Sequence, residues 1–279
     1  MMQQMRDSHQ PGANDKIFVG SVPEIYERFL VPLIFESYAQ DLAARLAAVK
    51  PRRVLETAAG TGALTRVIAA RLAPDARLVA TDFNQPMIDQ AQMRLSDDQI
   101  EWKQADALAL PFADEHFDAM VCQFGVMFFS DKVRAYEEAH RVLRPGGHLL
   151  FNVWDTISAN EFADVVTQAL ELLFREDPPR FLARTPHGYN DVLRIQQELS
   201  VARFSNISCD AVEMVSKASS PRDPAVAYCQ GTPLRNEIES RDPTRLEEAT
   251  KFAADALQRR FGNGAIEGRI RAFVFAAMR

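Results

Sequence analysis

One stretch constrains this chain more than any other: Arg53-Val54-Leu55-Glu56-Thr57-Ala58-Ala59-Gly60-Thr61-Gly62-Ala63-Leu64-Thr65. A short apolar run ends in a carboxylate and passes into a turn of small residues. Leu64, Val67, Ile68 and Leu72 then recur at spacings of three and four, the signature of a helix with one apolar face. Strand, tight loop and helix in that order open a parallel βαβ unit. Gly60 and Gly62 lack a Cβ, so the turn can adopt positive φ and a ligand can lie against the backbone. The helix that follows points its free N–H groups at the same place.

The loop departs from a dinucleotide fingerprint, which needs G-x-G-x-x-G directly after the strand. Thr65 stands where the third glycine would be, and Glu56-Thr57-Ala58-Ala59 separates strand from glycines. An acid at that point suits a cationic ligand better than a pyrophosphate. Asp82 follows the second apolar run, Leu78 to Ala80, and lies 20 residues beyond Gly62. Doubly wound folds place a ribose-binding acid at about that offset, because a carboxylate can accept from both hydroxyls of a vicinal diol. The competing reading makes Asp82 a cap for the helix that Asn84-Gln85-Pro86 opens, although Asn84 can supply that cap itself.

Ile100, Trp102 and Gln104 alternate as a third strand, leading into Asp106-Ala107-Leu108-Ala109-Leu110-Pro111-Phe112. Phe117 to Cys122 is a fourth buried strand, ending at Gln123-Phe124-Gly125. Asp131 to Leu143 reads as a helix stopped by Arg144-Pro145-Gly146-Gly147, with a fifth strand over His148 to Val153.

Together these segments resemble the class I S-adenosylmethionine-dependent methyltransferases. The glycine loop resembles their E/D-x-G-x-G-x-G motif with Ala58 at the first glycine, a change that tightens the loop. The Asp106 loop resembles their D-A-x-x-L-P-F, and Arg141-Val142-Leu143-Arg144-Pro145-Gly146-Gly147 their approach to strand five. The resemblance covers residues 52–154 and is nearest the small-molecule enzymes of ubiquinone and menaquinone biosynthesis. It implies a Rossmann-like seven-stranded sheet in the order 3-2-1-4-5-7-6 with strand seven antiparallel. It also implies S-adenosylmethionine held by Glu56, Thr57, Ala58, Gly60, Gly62, Asp82, Phe83, Met87, Asp106, Ala107, Leu108 and Gln123. In the family the acid at the Asp106 position takes the adenine amine, and the next backbone N–H meets the ring.

Outside 52–154 the expectations rest on pattern. Residues 1–16 read as a disordered tail. Ser21-x-x-Glu24 has the form of a capping box, Pro32 should interrupt the helix it begins, and Tyr38, Leu42 and Leu46 continue on one stripe. We expect residues 17–50 to form a helical lid with Tyr26 facing the ligand. The cofactor domain spans 51–217, a helical insertion 218–262, and the last strand 263–279. Ser158-x-x-Glu161 is a second capping box. The aperiodic loop 181–189 is either a simple connection or part of a substrate pocket, to which it would bring His187 and Tyr189. The end of the fourth strand offers Gln123 and Phe124 to the methionine portion or the substrate; His140 and His148 sit on scaffold elements.

The net charge of −6 argues against a nucleic-acid partner. No apolar run approaches the about 18 residues of a membrane span. Cys122, Cys209 and Cys229 are widely spaced and read as reduced thiols of a cytoplasmic protein, without a metal site. The partner expected is a small-molecule substrate, and the chain a monomer or homodimer. No obligatory acid–base pair is visible, so no catalytic residue is named and oxygen, nitrogen and carbon acceptors all stay open. The rival readings are an NAD(P)-dependent oxidoreductase using Gly60, Gly62 and Asp82, and a non-catalytic protein that binds S-adenosylmethionine.

Overall fold

The computed structural model describes Asp15, Phe18 and residues 20–279. Its centre is a seven-stranded sheet in the order β3-β2-β1-β4-β5-β7-β6, as expected. The strands are β1 (Arg53–Glu56), β2 (Arg77–Asp82), β3 (Ile100–Gln104), β4 (Phe117–Gln123), β5 (Leu143–Trp154), β6 (Ser205–Ala218) and β7 (Ile266–Met278). The first five are parallel. β7 is antiparallel to β5, since Gly146 N–H donates to Arg279 O while Asp155 N–H donates to Arg271 O. Helices on both faces explain why β1 and β4 read as continuous apolar runs.

The chain divides into two compact units, which it enters alternately. The sheet unit comprises 36–153, 190–212 and 272–279. One face of its sheet is covered by α2 (Glu36–Ala48) and α3 (Ala63–Ala69). Ala39, Leu42, Ala43, Leu46, Leu64 and Ile68 pack there with Val54, Leu78, Ala119, Val121 and Leu150. Burying a side chain of leucine size contributes about 1.5–3 kcal/mol, so this layer fixes where the loops beyond β1 and β4 emerge. Elsewhere in the unit α4 (Gln85–Gln92), α5 (Lys132–Val142) and α8 (Val192–Val201) complete the layers, and Phe151 stacks on Phe275 at 4.9 Å.

The helical unit comprises residues up to Phe35, 154–189 and 213–271. It holds α1 (Val22–Ile25), α6 (Glu161–Leu173), α7 (Phe181–Arg184), α9 (Arg222–Gln230), α10 (Leu234–Arg241) and α11 (Leu246–Phe261). The insertion 218–262 falls wholly within it. Phe162 meets Phe261 edge-on at 5.0 Å, and Gly268 leaves room for the Phe162 ring, which a Cβ would approach to 2.8 Å.

Several local expectations are corrected. Ser21 makes no side-chain cap on α1, and its hydroxyl accepts from Arg235 instead. Pro32 does not break the helix: Tyr26–Phe35 winds in wider π-type turns that absorb its ring and missing N–H, and runs straight into α2. The second capping box is also absent. Asn160 is the N-cap residue of α6, and Glu161 turns away to accept from Arg269 N–H at 2.7 Å. β5 begins at Leu143, so Pro145-Gly146-Gly147 is already strand, its backbone held by Arg279, the residue after β7. Asn84 stands at the N-cap position of α4 without a side-chain cap bond. The expected disordered tail lies outside the described residues except for Asp15, which is buried and accepts from Arg184 and Thr185.

Candidate functional site

The glycine loop is held from three strands. Thr57 N–H donates to Val121 O of β4 at 3.0 Å, Ala59 N–H to Thr81 O of β2 at 2.9 Å, and Thr81 Oγ1 donates to Glu56 O at 2.9 Å. Between these ties Ala58, Gly60 and Gly62 take φ of 52°, 58° and 81°. Glycine is required at 62 twice over, because a Cβ there would also stand 3.0 Å from the Trp102 ring. Ala58 has no such freedom and bears a cost of about 1–2 kcal/mol for its left-handed backbone.

Asp82 is the clamp. Its Oδ2 accepts from Gly60 N–H at 2.9 Å and its Oδ1 from Asn84 N–H at 2.8 Å. It therefore shapes the loop as well as offering its remaining lone pairs to a ligand. Burial raises its pKa, and the backbone donors of Asn84 and Gly60 oppose the rise. Glu56, 1% exposed, ends the neighbouring strand. Burial pushes its carboxyl up to about 8, with the Asp82 charge adding. Glu56 Oε2, Thr57 Oγ1 and Thr65 Oγ1 are buried without a hydrogen-bond partner. Two buried acids side by side, with an orphaned carboxylate oxygen, make a place that favours a cation.

The other candidates of the sheet unit are less enclosed. Phe83 is 55% exposed, while Met87, on α4, is buried. Asp106 is exposed and its Oδ1 accepts from Leu108 N–H at 2.9 Å, so that amide is already used and the Ala107 amide is the one left at the turn. Sequence reasoning missed what holds this turn. Glu138 accepts from Leu110 N–H at 2.8 Å, and Arg141 donates to the carbonyls of Leu110 and Phe112. Their i,i+3 spacing on α5 was the available signal. Gln123 is half-buried with Oε1 unpartnered. Phe124 is a correction: it is buried and meets Tyr38 edge-on at 5.2 Å rather than lying open to a substrate.

Tyr26, His187 and Tyr189 belong to the helical unit. Tyr26 stacks on Phe35 at 5.2 Å and meets Phe18 edge-on. His187 and Tyr189 are buried, and His187 Nδ1 lies 2.9 Å from Asp155 O, an acceptor, so Nδ1 carries the proton. Burial lowers its pKa to about 4, with the Asp155 carbonyl and charge opposing. His140 is edge-on to Phe204, a packing role.

Cys122 and Cys229 are buried, and burial pushes both thiols up to about 12, far from reactive. Among the described residues no group of three or more His, Cys, Asp or Glu is placed to hold a metal, and no helix is long and apolar enough to cross a membrane.

The strand order, the antiparallel β7 and the acid-flanked glycine loop together match the Rossmann-like sheet that the resemblance to S-adenosylmethionine-dependent methyltransferases implies. Residues 55–151 match the family model described as a methyltransferase domain. It is 35% identical over 142 residues to demethylmenaquinone methyltransferase of Deinococcus radiodurans, covering 50% of this chain and 58% of that one. It is 43% identical over 101 residues to a ubiquinone/menaquinone biosynthesis C-methyltransferase of Hahella chejuensis, covering 35% and 41%. The chain thus spans about half the length of the curated relatives it matches. The crystal structure of the YcgJ protein from Bacillus subtilis superposes with a TM-score of 0.56 at 18% identity, covering 87% of this chain and 98% of that one, which shows the shared fold. These matches leave the nicotinamide-dinucleotide reading without support.

Proposed function

We propose that this chain moves a methyl group from S-adenosylmethionine to a small-molecule acceptor. The observation that carries the reading is the buried acid pair Glu56 and Asp82 around a left-handed loop, with Glu56 Oε2 unpartnered. These residues fit the group: an acidic floor for a cationic amino-acid portion, Asp82 for the ribose diol, Asp106 and the Ala107 amide for adenine, and the exposed Phe83 ring for stacking. Bound S-adenosylmethionine supplies a methyl group on positively charged sulfur, already a good leaving group. The chain's own part is to orient and to exclude water, and good positioning alone can be worth roughly 7–11 kcal/mol. Gln123 Oε1 adds an acceptor at the end of β4. A general base is needed only for an acceptor that must lose a proton first.

The names of the relatives make a demethylmenaquinone-like aromatic acceptor the first to try. We keep the covering role for the part of 17–50 that precedes Glu36, because α2 is core, with Tyr38 and Leu42 fully buried. Hydrogen exchange with and without S-adenosylhomocysteine checks that cover: protection of residues 20–35 should rise on binding. A cytoplasmic location, no nucleic-acid partner and a monomer or homodimer complete the proposal. The deciding test is calorimetry with S-adenosylmethionine and with NAD, followed by an acceptor panel read by S-adenosylhomocysteine release. Binding of NAD alone overturns the reading, and binding of S-adenosylmethionine with no turnover on any acceptor favours a non-catalytic role.

A further inference from the structure

Ala58 and Phe124 each lie just beyond the carboxyl end of a central strand, and both hold left-handed backbone, at φ 52° and 50°. Neither is a glycine, so each conformation persists only because its surroundings impose it. The surroundings meet at Gly125. A Cβ on Gly125 would stand 2.4 Å from the Ala58 Cβ and 2.7 Å from Cys122 Sγ. Gly125 itself has φ −101°, which any residue can adopt, so space rather than backbone freedom demands glycine there. The Ala58 methyl fills the volume that a side chain at 125 would occupy.

A second tie comes from β5. Asn152, fully buried and opposite Gln123 in register, accepts Phe124 N–H on its Oδ1 at 2.9 Å. Its Nδ2 has no partner, and neither has Gln123 Oε1. A fully buried amide with half its capacity unused is costly to keep, and its one bond fixes the residue that carries the strained backbone.

We propose that Ala58 and Gly125 are a matched steric pair which, with Asn152 holding Phe124, locks the loop leaving β4 against the glycine loop, making Gly125 and Asn152 positioning residues for the bound cofactor. The family motif has glycine where this chain has Ala58, and the missing Cβ at 125 accommodates that change. The inference rests on reading this crevice as the cofactor site.

A double-mutant cycle tests it. Gly125→Ala, Ala58→Gly and the pair are made in a common Cys122→Ala background, which removes the second contact. Each protein is read by its thermal midpoint and, well below that midpoint, by calorimetric affinity for S-adenosylhomocysteine. Gly125→Ala should weaken affinity about tenfold or abolish folding, and adding Ala58→Gly should restore most of the loss, a coupling of the size seen between touching residues. Unchanged affinity in Gly125→Ala, or a pair as impaired as Gly125→Ala, overturns the matched pair. A purely structural role would move midpoints and leave the affinity of the folded variants untouched, which overturns the positioning role. Asn152→Leu should weaken affinity severalfold while folding, and unchanged affinity removes Asn152 from the assignment. Should the unsubstituted protein bind no S-adenosylhomocysteine, the functional reading fails, and the steric pair is still scored on the midpoints.

Discussion

The two halves of the candidate cofactor site are built differently. The side made by β1, β2 and the glycine loop is buried: Glu56 and Thr57 are 1% exposed and Asp82 is 7% exposed. Its shape depends on hydrogen bonds that the Gly60 and Asn84 amides donate to Asp82. The side made by Phe83 and the Asp106 turn is open, and Asp106 reaches only its own turn at Leu108. A charged ligand portion needs fixed dipoles arranged before it arrives, whereas a flat aromatic base needs a surface and one acceptor. The difference between the halves follows that division, and substitutions should separate them.

The largest effect belongs to Asp82→Ala. It leaves two backbone N–H groups unpaired at about 1–3 kcal/mol each and removes the ribose acceptor. We expect a clearly lower thermal midpoint and at least about tenfold weaker S-adenosylmethionine binding. A variant that keeps wild-type affinity in calorimetry would erase the distinction between the halves.

Next is the pH dependence of the buried side. Glu56 is protonated in the folded chain up to about 8, above the range of an unfolded carboxyl. Its contribution to stability is therefore complete below the ordinary carboxylate range and is lost as pH rises through about 8. Asp82 adds in the same direction. Denaturant titrations of the free protein should show stability falling over that window, and Glu56→Gln should flatten the fall. Binding a cation beside Glu56 favours its ionised form, so binding at neutral pH should release a proton. Calorimetry in buffers of different ionisation enthalpy measures that proton, and an enthalpy independent of buffer would count against Glu56 as the cation's neighbour.

Asp106→Ala should be milder, about 0.5–1.5 kcal/mol in affinity, with the thermal midpoint nearly unchanged because the turn is also held by Glu138 and Arg141. Phe83→Ala should be smallest. Its ring is exposed, so folding should not suffer, and losing a stacking surface should cost about 0.5–1.5 kcal/mol of affinity at most. If either open-side variant destabilised the fold as much as Asp82→Ala, the two halves would not be distinct.

The sequence by itself determined the central strands, the glycine loop and the acids at the ends of β1 and β2, because each follows from local pattern: apolar runs, residues without a Cβ, and a carboxylate at a fixed offset; the sheet order came from the family resemblance. It also carried the family resemblance over 52–154. Tertiary structure alone decided the rest. The same short motif Ser-x-x-Glu can cap a helix or, as at Glu161, serve a backbone amide 108 residues away at Arg269. Pro32 reads as a break, yet a wider helical turn accommodates it. His187 and Tyr189 read as substrate candidates because their loop lacks a period, and Phe124 because it ends a strand, but burial depends on what other segments bring to them. Asn152 carried no local signal at all; its role exists only because β5 lies beside β4 and places one amide opposite Phe124. Local pattern encodes which element forms, while contacts between residues distant in the chain set which polar group finds a partner and which is left for a ligand.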